Sequence, residues 1–172
     1  AVPKLIAVLG QSDESEKHII QNALIEIGTA AIPSLLESAK DIPLAKLMRE
    51  TWQTECIGSI GIQAVSSLTS ALKKHPDNGA GLLSLVALNK IGDKSLSTRQ
   101  AILPFMDHEN AVFRGAALTA IVASTAKPNT LMPRLQAAMG DTNSLVRQAA
   151  MDALASLGSS AKGATTALIN SL

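Results

Sequence analysis

The feature that most constrains this chain is a dipeptide, isoleucine or leucine followed by glycine, that closes an apolar segment four times. It occurs at Ile27-Gly28, Ile60-Gly61, Ile91-Gly92 and Leu157-Gly158. Successive glycines are 33, 31 and 66 residues apart, and 66 is twice 33. One copy therefore lacks its glycine, at Ser124 or Thr125. A recurrence of roughly 20–50 residues is typical of stacked repeat proteins, so the pattern predicts a repeat array that works through a surface.

The composition favours helices. Hydrophobic residues make up 47% of the 172 positions but aromatic residues only 2%, which predicts an aliphatic core of closely packed helices rather than a sandwich or barrel. The net charge is +1, so neither nucleic-acid binding nor a polybasic membrane anchor is favoured. The longest apolar stretches, such as 82–88, are far shorter than the roughly 20 residues that a membrane span needs. We expect no membrane insertion, and a location in the cytoplasm.

Each period divides into two helical segments with a short polar break between them. The predicted repeats cover residues 1–28, 29–61, 62–92, 93–124 and 125–158, with a partial repeat at 159–172. The second repeat is predicted to carry one long helix that runs through Trp52 to Ile60. These segments predict an all-α, right-handed α-solenoid of about five helical hairpins plus one unpaired terminal helix, in a single domain over 1–172. The chain opens on Ala1, which indicates a trimmed chain, a processed product or a piece of something longer. The unpaired terminal helix favours the last of these, so we expect the chain to be part of a larger protein, with end-to-end self-association as a further expectation.

Both halves of these hairpins resemble the HEAT-repeat family, especially its bacterial lyase-like subclass. The first helices that carry the resemblance begin Val2-Pro3-Lys4-Leu5, Ile32-Pro33-Ser34-Leu35 and Met132-Pro133-Arg134-Leu135. The clearest second helix runs from Asp141 through Val146-Arg147 to Leu154. The resemblance implies the fold, and an array of this kind predicts a non-enzymatic scaffold that binds a peptide, helix or protein on its concave face. The alternative that it implies is a lyase-like or chaperone-like subunit handling a bilin chromophore, with Lys90, Arg114 and Arg147 as candidate partners for its propionates.

Charged residues recur at matching places in the repeats. An acidic residue lies in every break, and a basic residue lies on three second helices: Asp13, Asp41, Asp77, Asp107 and Asp141, then Lys17, Arg114 and Arg147. An aspartate before a helix accepts hydrogen bonds from N–H groups that have no partner within the helix. We therefore interpret these residues as helix caps and contacts between repeats, rather than as a ladder of charges for binding.

No catalytic, cofactor or metal site is predicted. The pair His108-Glu109 is similar to the iron-binding pairs of deoxyhypusine hydroxylase, a HEAT-type enzyme, but it occurs only once and cannot hold two metals. We expect His108 to be exposed near the start of a helix. Cys56 lies on the column of small residues Ala23, Ala87, Ala120 and Ala153, which predicts a buried, inert thiol.

The second helices differ in the side that faces away from the first helices. In the first two repeats this side is polar, and includes Thr51, Thr54 and Glu55. In the later repeats it is apolar: Leu82, Leu85, Val86, Leu118, Val122, Met151 and Ala155. The first interpretation is a partner-binding hydrophobic groove on the concave face, suited to an amphipathic helix or an extended peptide. The second is that these residues are core, through tight curvature or a helix phase that differs by one position.

Overall fold

The computed structural model describes residues 1–9, 12–48, 51–126 and 128–157. In these ranges the regular structure consists of α-helices and short 3-10 turns, without a strand. The described α-helices are α1 (Val2–Leu9), α2 (Glu14–Ile27), α3 (Ile32–Ala39), α4 (Leu44–Leu47), α5 (Trp52–Ile60), α6 (Val65–Lys74), α7 (Gly79–Ile91), α8 (Leu96–Ile102), α9 (Ala111–Ala123), α10 (Met132–Met139) and α11 (Ser144–Ser156). The prediction of an all-α repeat fold is confirmed. The expected unpaired terminal helix, and Gly158, lie outside the described residues.

The chain divides into two compact units, Ala1–Ile91 and Gly92–Leu172. The division falls between the third and fourth predicted repeats. Helices α1 to α7 belong to the N-terminal unit, and α8 to α11 belong to the C-terminal unit. The expectation of one continuous array stays a prediction.

Helix α7 forms the centre of the N-terminal unit. Its residues from Gly79 to Leu88 are buried, with the exception of half-buried Val86. The helix packs against α3, α4, α5 and α6, so its neighbours cover most of its circumference. A helix that is apolar on every side is typical of such a core position.

The second repeat departs from the predicted long helix. Two helices, α4 and α5, replace it, and α5 begins only at Trp52. Thr51 has extended backbone angles (φ −110°, ψ 157°), and its side chain accepts a hydrogen bond from the N–H of Thr54. This cap starts a new helix and stops the earlier one from running through. Thr54, which the sequence assigns to solvent, is buried.

Residues Ser15–Ala39 form an apolar helical run of 25 residues that could cross a membrane by length and composition alone. The positive φ of Gly28 interrupts this run, which leaves α2 with 14 residues and α3 with 8. Each helix is shorter than the roughly 20 residues of a span. The apolar side of α3, from Ile32 to Ala39, is buried within the protein, which accounts for its hydropathy.

In the C-terminal unit the two second helices pack directly on each other. Helix α9 contacts α11, α8 and the 3-10 turn Leu103–Asp107, and α10 contacts α11. Gly115 of α9 lies opposite Ala149 of α11, where an added Cβ atom would be 3.6 Å from that alanine's methyl group. Small residues on both helices therefore permit the close approach.

The three described glycines that close repeats all have a positive φ, which side-chain-bearing residues rarely adopt. Their φ angles are 68° at Gly28, 72° at Gly61 and 65° at Gly92. The copy without a glycine ends α9 differently, because Ser124 keeps a right-handed backbone with φ −93° and ψ 8°. Ser124 is also fully buried, and its Oγ has no hydrogen-bond partner. Among the described copies, only those that close with a positive φ require glycine.

We expect Gly61→Ala to lower the free energy of unfolding by about 1–2 kcal/mol, the cost of holding an L-residue at a positive φ with ψ −143°. No atom lies within 4 Å of the added methyl group, so backbone strain is the whole effect. Ser124→Ala is the matched control, since its φ suits alanine and the change removes a buried hydroxyl without a partner. Urea unfolding should show a loss for the first variant and none for the second. Equal stabilities would contradict the strain argument.

Candidate functional site on the second helices

The six residues predicted to bind a partner differ in how much of each side chain is exposed. Three leucines, Leu82, Leu85 and Leu118, are buried, so the expectation that they line an exposed groove is wrong. Val86 and Val122 are half-buried. Met151 is exposed, with 44% of its surface accessible. Partner binding at the last three residues stays a prediction.

The contact between α9 and α11 gives the physical reason for this correction. The side of α9 that carries Leu118 faces α11, where Leu118 and Val146 line the same groove. The neighbouring Gly115 is the residue that approaches Ala149. The side that the sequence assigned to solvent is therefore the side against which the next second helix packs. Leu118 belongs to the core of the C-terminal unit.

Among the described residues, no helix packs on the same side of α11. Met151 follows Leu118 by 33 residues, yet 44% of Met151 is exposed against 1% of Leu118. We call the set Arg147, Gln148, Met151, Asp152 and Ala155 the α11 open face. Apart from half-buried Arg147, all of its members are exposed, and Gln148 Nε2 donates a hydrogen bond of 2.9 Å to Asp152 Oδ1.

An arginine of α9 clamps an aspartate of the next repeat. Arg114 Nε and Nη2 donate to the two carboxylate oxygens of Asp141, both at 2.9 Å. Arg114 Nη1 donates to the carbonyls of His108 and Glu109, both at 2.8 Å. The two side chains are only 18% and 15% exposed. The hydrogen bonds from Arg114 hold the pKa of the Asp141 carboxyl below its ordinary value. The predicted contact between repeats is confirmed at this pair.

One repeat earlier, His108 occupies the position that matches Asp141. The sequence pattern predicts Asp107 for this position. His108 Nδ1 accepts the N–H of Asn110 at 3.0 Å, as Asp141 Oδ1 accepts that of Asn143 at 2.8 Å. Each asparagine side chain then caps its helix, at 2.9 Å. Asp107 itself pairs with the exposed Arg134 at 3.4 Å.

The ring of His108 is stacked rather than exposed. Its centroid lies 4.5 Å from that of Phe113 and 5.8 Å from that of Phe105. The expectation of an exposed histidine is therefore wrong, and this residue is part of the turn before α9. No group of three potential metal ligands occurs in the part of the chain that the structure describes.

A groove of about 470 Å³ lies between the first helices of the C-terminal unit and the Arg114–Asp141 pair. Its charged lining consists of Asp107, Arg114, Arg134 and Asp141. These residues pair with one another as two arginine–aspartate contacts, so their charges are largely neutralised within the groove. The arrangement favours a structural role for Arg114 over the binding of a free anion.

The three cations considered for a bilin differ in what already engages them. Lys90 donates to Glu55 within the N-terminal unit, and Arg114 is held by Asp141. Arg147 uses Nη1 for the carbonyls of Asp141 and Thr142, at 2.9 and 3.1 Å. Its Nε and Nη2 have no acceptor among the described residues, and sequence reasoning offered no signal that could single this residue out.

The single cysteine behaves as the sequence predicts. Cys56 is fully buried. Burial, with a smaller contribution from Glu55, raises the pKa of its thiol to about 11. A thiol of this kind stays protonated near neutral pH and is a poor nucleophile or metal ligand.

Comparison with known proteins finds a matching family model and a similar solved structure. A family model described as HEAT repeats matches residues 99–172. The solved complex of CpcE and CpcF of phycocyanin lyase from Nostoc sp. PCC7120 contains a chain similar in structure, with a TM-score of 0.56 and 19% identity. The similarity covers 89% of this chain and 97% of that chain, and at this identity it establishes the fold alone. No curated protein shows a significant match.

Proposed function

We propose that the protein is a non-enzymatic scaffold whose second helices bind a protein partner, since a family model described as HEAT repeats matches residues 99–172. The observation that carries this proposal is the contrast between Leu118 and Met151. They hold the same place on consecutive second helices, but only Leu118 is covered. The side of α9 that carries Leu118 already binds a helix, α11, so the same side of α11 is suited to a helix from a partner.

The polar members of the α11 open face indicate the kind of complex that it favours. Gln148 and Asp152 stand where α9 has Gly115 and Thr119. The longer side chains keep a partner helix further away than α11 is from α9, and they leave a contact that water can enter. An apolar centre with a polar rim is typical of complexes that form and dissociate. Met151 supplies that centre.

The alternative function is a lyase-like or chaperone-like subunit that handles a bilin. Likeness to a phycocyanin lyase subunit supports the fold for this function, at 19% identity. A bilin with two propionates favours two available cations. Of the three candidates, Lys90 and Arg114 are engaged by carboxylates, which leaves Arg147. The protein-binding function is therefore the better supported of the two.

A comparison of capture by matched variants tests the proposal. Wild-type protein, Met151→Asp and Ile62→Asp should each be used as bait with lysate of the source organism, and captured proteins identified by mass spectrometry. Ile62 is 61% exposed in the N-terminal unit, so it controls for the loss of any exposed apolar residue. We expect Met151→Asp to weaken the binding of the purified partner by at least about tenfold, or roughly 1.4 kcal/mol, with Ile62→Asp unchanged.

Two results would contradict this function. Met151→Asp could bind the partner as tightly as wild type does while its helical circular dichroism is unchanged, which would exclude the α11 open face. Alternatively, an absorbance titration with a tetrapyrrole could show stoichiometric binding in a protein that captures no partner, which would favour the bilin function.

A further inference from the structure

We propose that a groove between α3 and α6 of the N-terminal unit binds a small molecule that carries both a phosphate group and hydroxyl groups. This α3–α6 groove has a volume of about 420 Å³, within the range of roughly 300–1,000 Å³ that is typical of ligand pockets. Its polar lining consists of Glu37, Ser66, Ser67, Ser70, Lys74 and His75. The groove belongs to the N-terminal unit, so the inference goes beyond the proposed function and does not depend on the α11 open face.

The matching groove of the C-terminal unit shows what is unusual about this one. Helices α6 and α10 both begin after a 3-10 turn, and both place a fully buried leucine at their fourth position, Leu68 and Leu135. In this alignment Lys74 holds the place of Asp141. Each of these two residues lines its own groove, so the same position carries a cation in one groove and an anion in the other.

The charges of the α3–α6 groove are not neutralised within it. In the C-terminal groove, two arginine–aspartate pairs use up the charged groups. Here Ser67 replaces Arg134, and Lys74 forms no ion pair with any residue that the structure describes. Glu37 pairs with Lys40 instead, at 3.5 Å. Both walls of the groove lie within the described ranges 12–48 and 51–126, so the Lys74 ammonium group is an available cation.

The hydroxyl groups of the groove are available as well. Ser66, Ser67 and Ser70 line it from α6, and their hydroxyls have no hydrogen-bond partner among the described residues. By contrast, the hydroxyl of the neighbouring Thr69 donates to two carbonyls of its own helix, at 3.0 and 3.1 Å. Residues three and four apart share one side of a helix, so Ser67, Ser70 and Lys74 lie in a row along the groove.

This combination of groups specifies the chemistry of the ligand. A phosphate group has a negative charge and several acceptor oxygens, which an ammonium group and a row of hydroxyls satisfy together. Glu37 on the opposite wall is an acceptor, so it suits hydroxyl groups on the rest of the molecule. Buried Leu36 and Ala71 add an apolar surface between these polar groups. The groove therefore fits a small phosphorylated polyol.

The experiment titrates glycerol 3-phosphate into the full chain at about 0.15 M salt, where the charges of exposed residues are screened. The backbone amide signals of Ser67 and Ser70 are followed by NMR. We expect both signals to shift with a saturable dependence on ligand concentration. Lys74→Gln should weaken binding at least about tenfold, because it removes a charge-assisted hydrogen bond. Lys73→Gln is the matched control, since Lys73 is exposed on α6 but does not line the groove, and its affinity should stay within about twofold of wild type.

Each alternative outcome would overturn a defined part of the inference. If neither amide signal shifts, or if Lys74→Gln binds as tightly as wild type with an unchanged helical circular dichroism spectrum, the groove is not a phosphate site. Equal weakening by Lys73→Gln would mean that the positive charge of α6 attracts anions without a site. Equally tight binding of glycerol would exclude the phosphate group as the recognised feature, and equally tight binding of inorganic phosphate would exclude the hydroxyl groups.

Discussion

Replacing Leu118 with aspartate is expected to unfold the C-terminal unit, whereas the same replacement at Met151 is expected to leave it folded. Leu118 lies on α9 and is only 1% exposed. The substitution therefore loses a packed side chain and buries an unpaired carboxylate. The first effect alone costs about 2–5 kcal/mol, and the second adds several more unless the group takes up a proton. The sum is comparable with the entire stability of a typical domain, about 5–15 kcal/mol.

Met151 is the matched control for this prediction, because it holds the same place 33 residues later and is 44% exposed. A charge there stays in water. Circular dichroism melts and amide NMR spectra should show loss of the cooperative transition for Leu118→Asp, and a melt near that of wild type for Met151→Asp. If Leu118→Asp folded with an unchanged melting temperature, Leu118 would lie on a surface and the groove interpretation from the sequence would be restored.

The second large effect is expected at the start of α7. A Cβ atom at Gly79 would collide with the carbonyl oxygen of Ala39 and lie 2.9 Å from Leu47 Cδ1. The carbonyl belongs to the main chain, so it cannot rotate away as a side chain can. Helix α7 would have to move away from α3, and the hydrogen bond from Gly79 N–H to the carbonyl of Lys40, 3.3 Å long, would be lost. We expect Gly79→Ala to cost about 1–3 kcal/mol, as overpacked sites do.

Gly115→Ala is the matched control for Gly79→Ala. Gly115 also lies in a close contact between helices, but an added Cβ atom would be 3.6 Å from Ala149 Cβ and 3.8 Å from the carbonyl of Leu145, which are ordinary distances. Alanine also favours the helix over glycine by up to about 1 kcal/mol. Urea unfolding should show a loss for Gly79→Ala and no loss, or a gain, for Gly115→Ala. Equal losses would mean that both sites respond to size rather than to the main-chain collision.

The prediction that acidic residues in the breaks act as helix caps or contacts between repeats is confirmed at Asp13, Asp107 and Asp141. Asp13 caps α2 through a capping box with Glu16, and Asp141 pairs with Arg114, as the sequence predicts. Asp107 also contacts the next repeat, through Arg134, but it does not supply the acceptor in the turn, where His108 offers a ring nitrogen instead. The sequence pattern places a carboxylate in each break, whereas the turn requires only a hydrogen-bond acceptor at that backbone position.

The sequence by itself determined what depends on neighbours along the chain. A glycine after each second helix is needed wherever φ is near +70°, and this is a property of one residue's backbone. The 33-residue spacing likewise determined the repeat fold. Only the tertiary structure decided which side of a second helix is covered. Helix α9 is apolar around most of its circumference, so its periodicity cannot identify the side that packs on α11. Burial of Leu118 and exposure of Met151 depend on whether another helix lies against them, and residue type does not encode that.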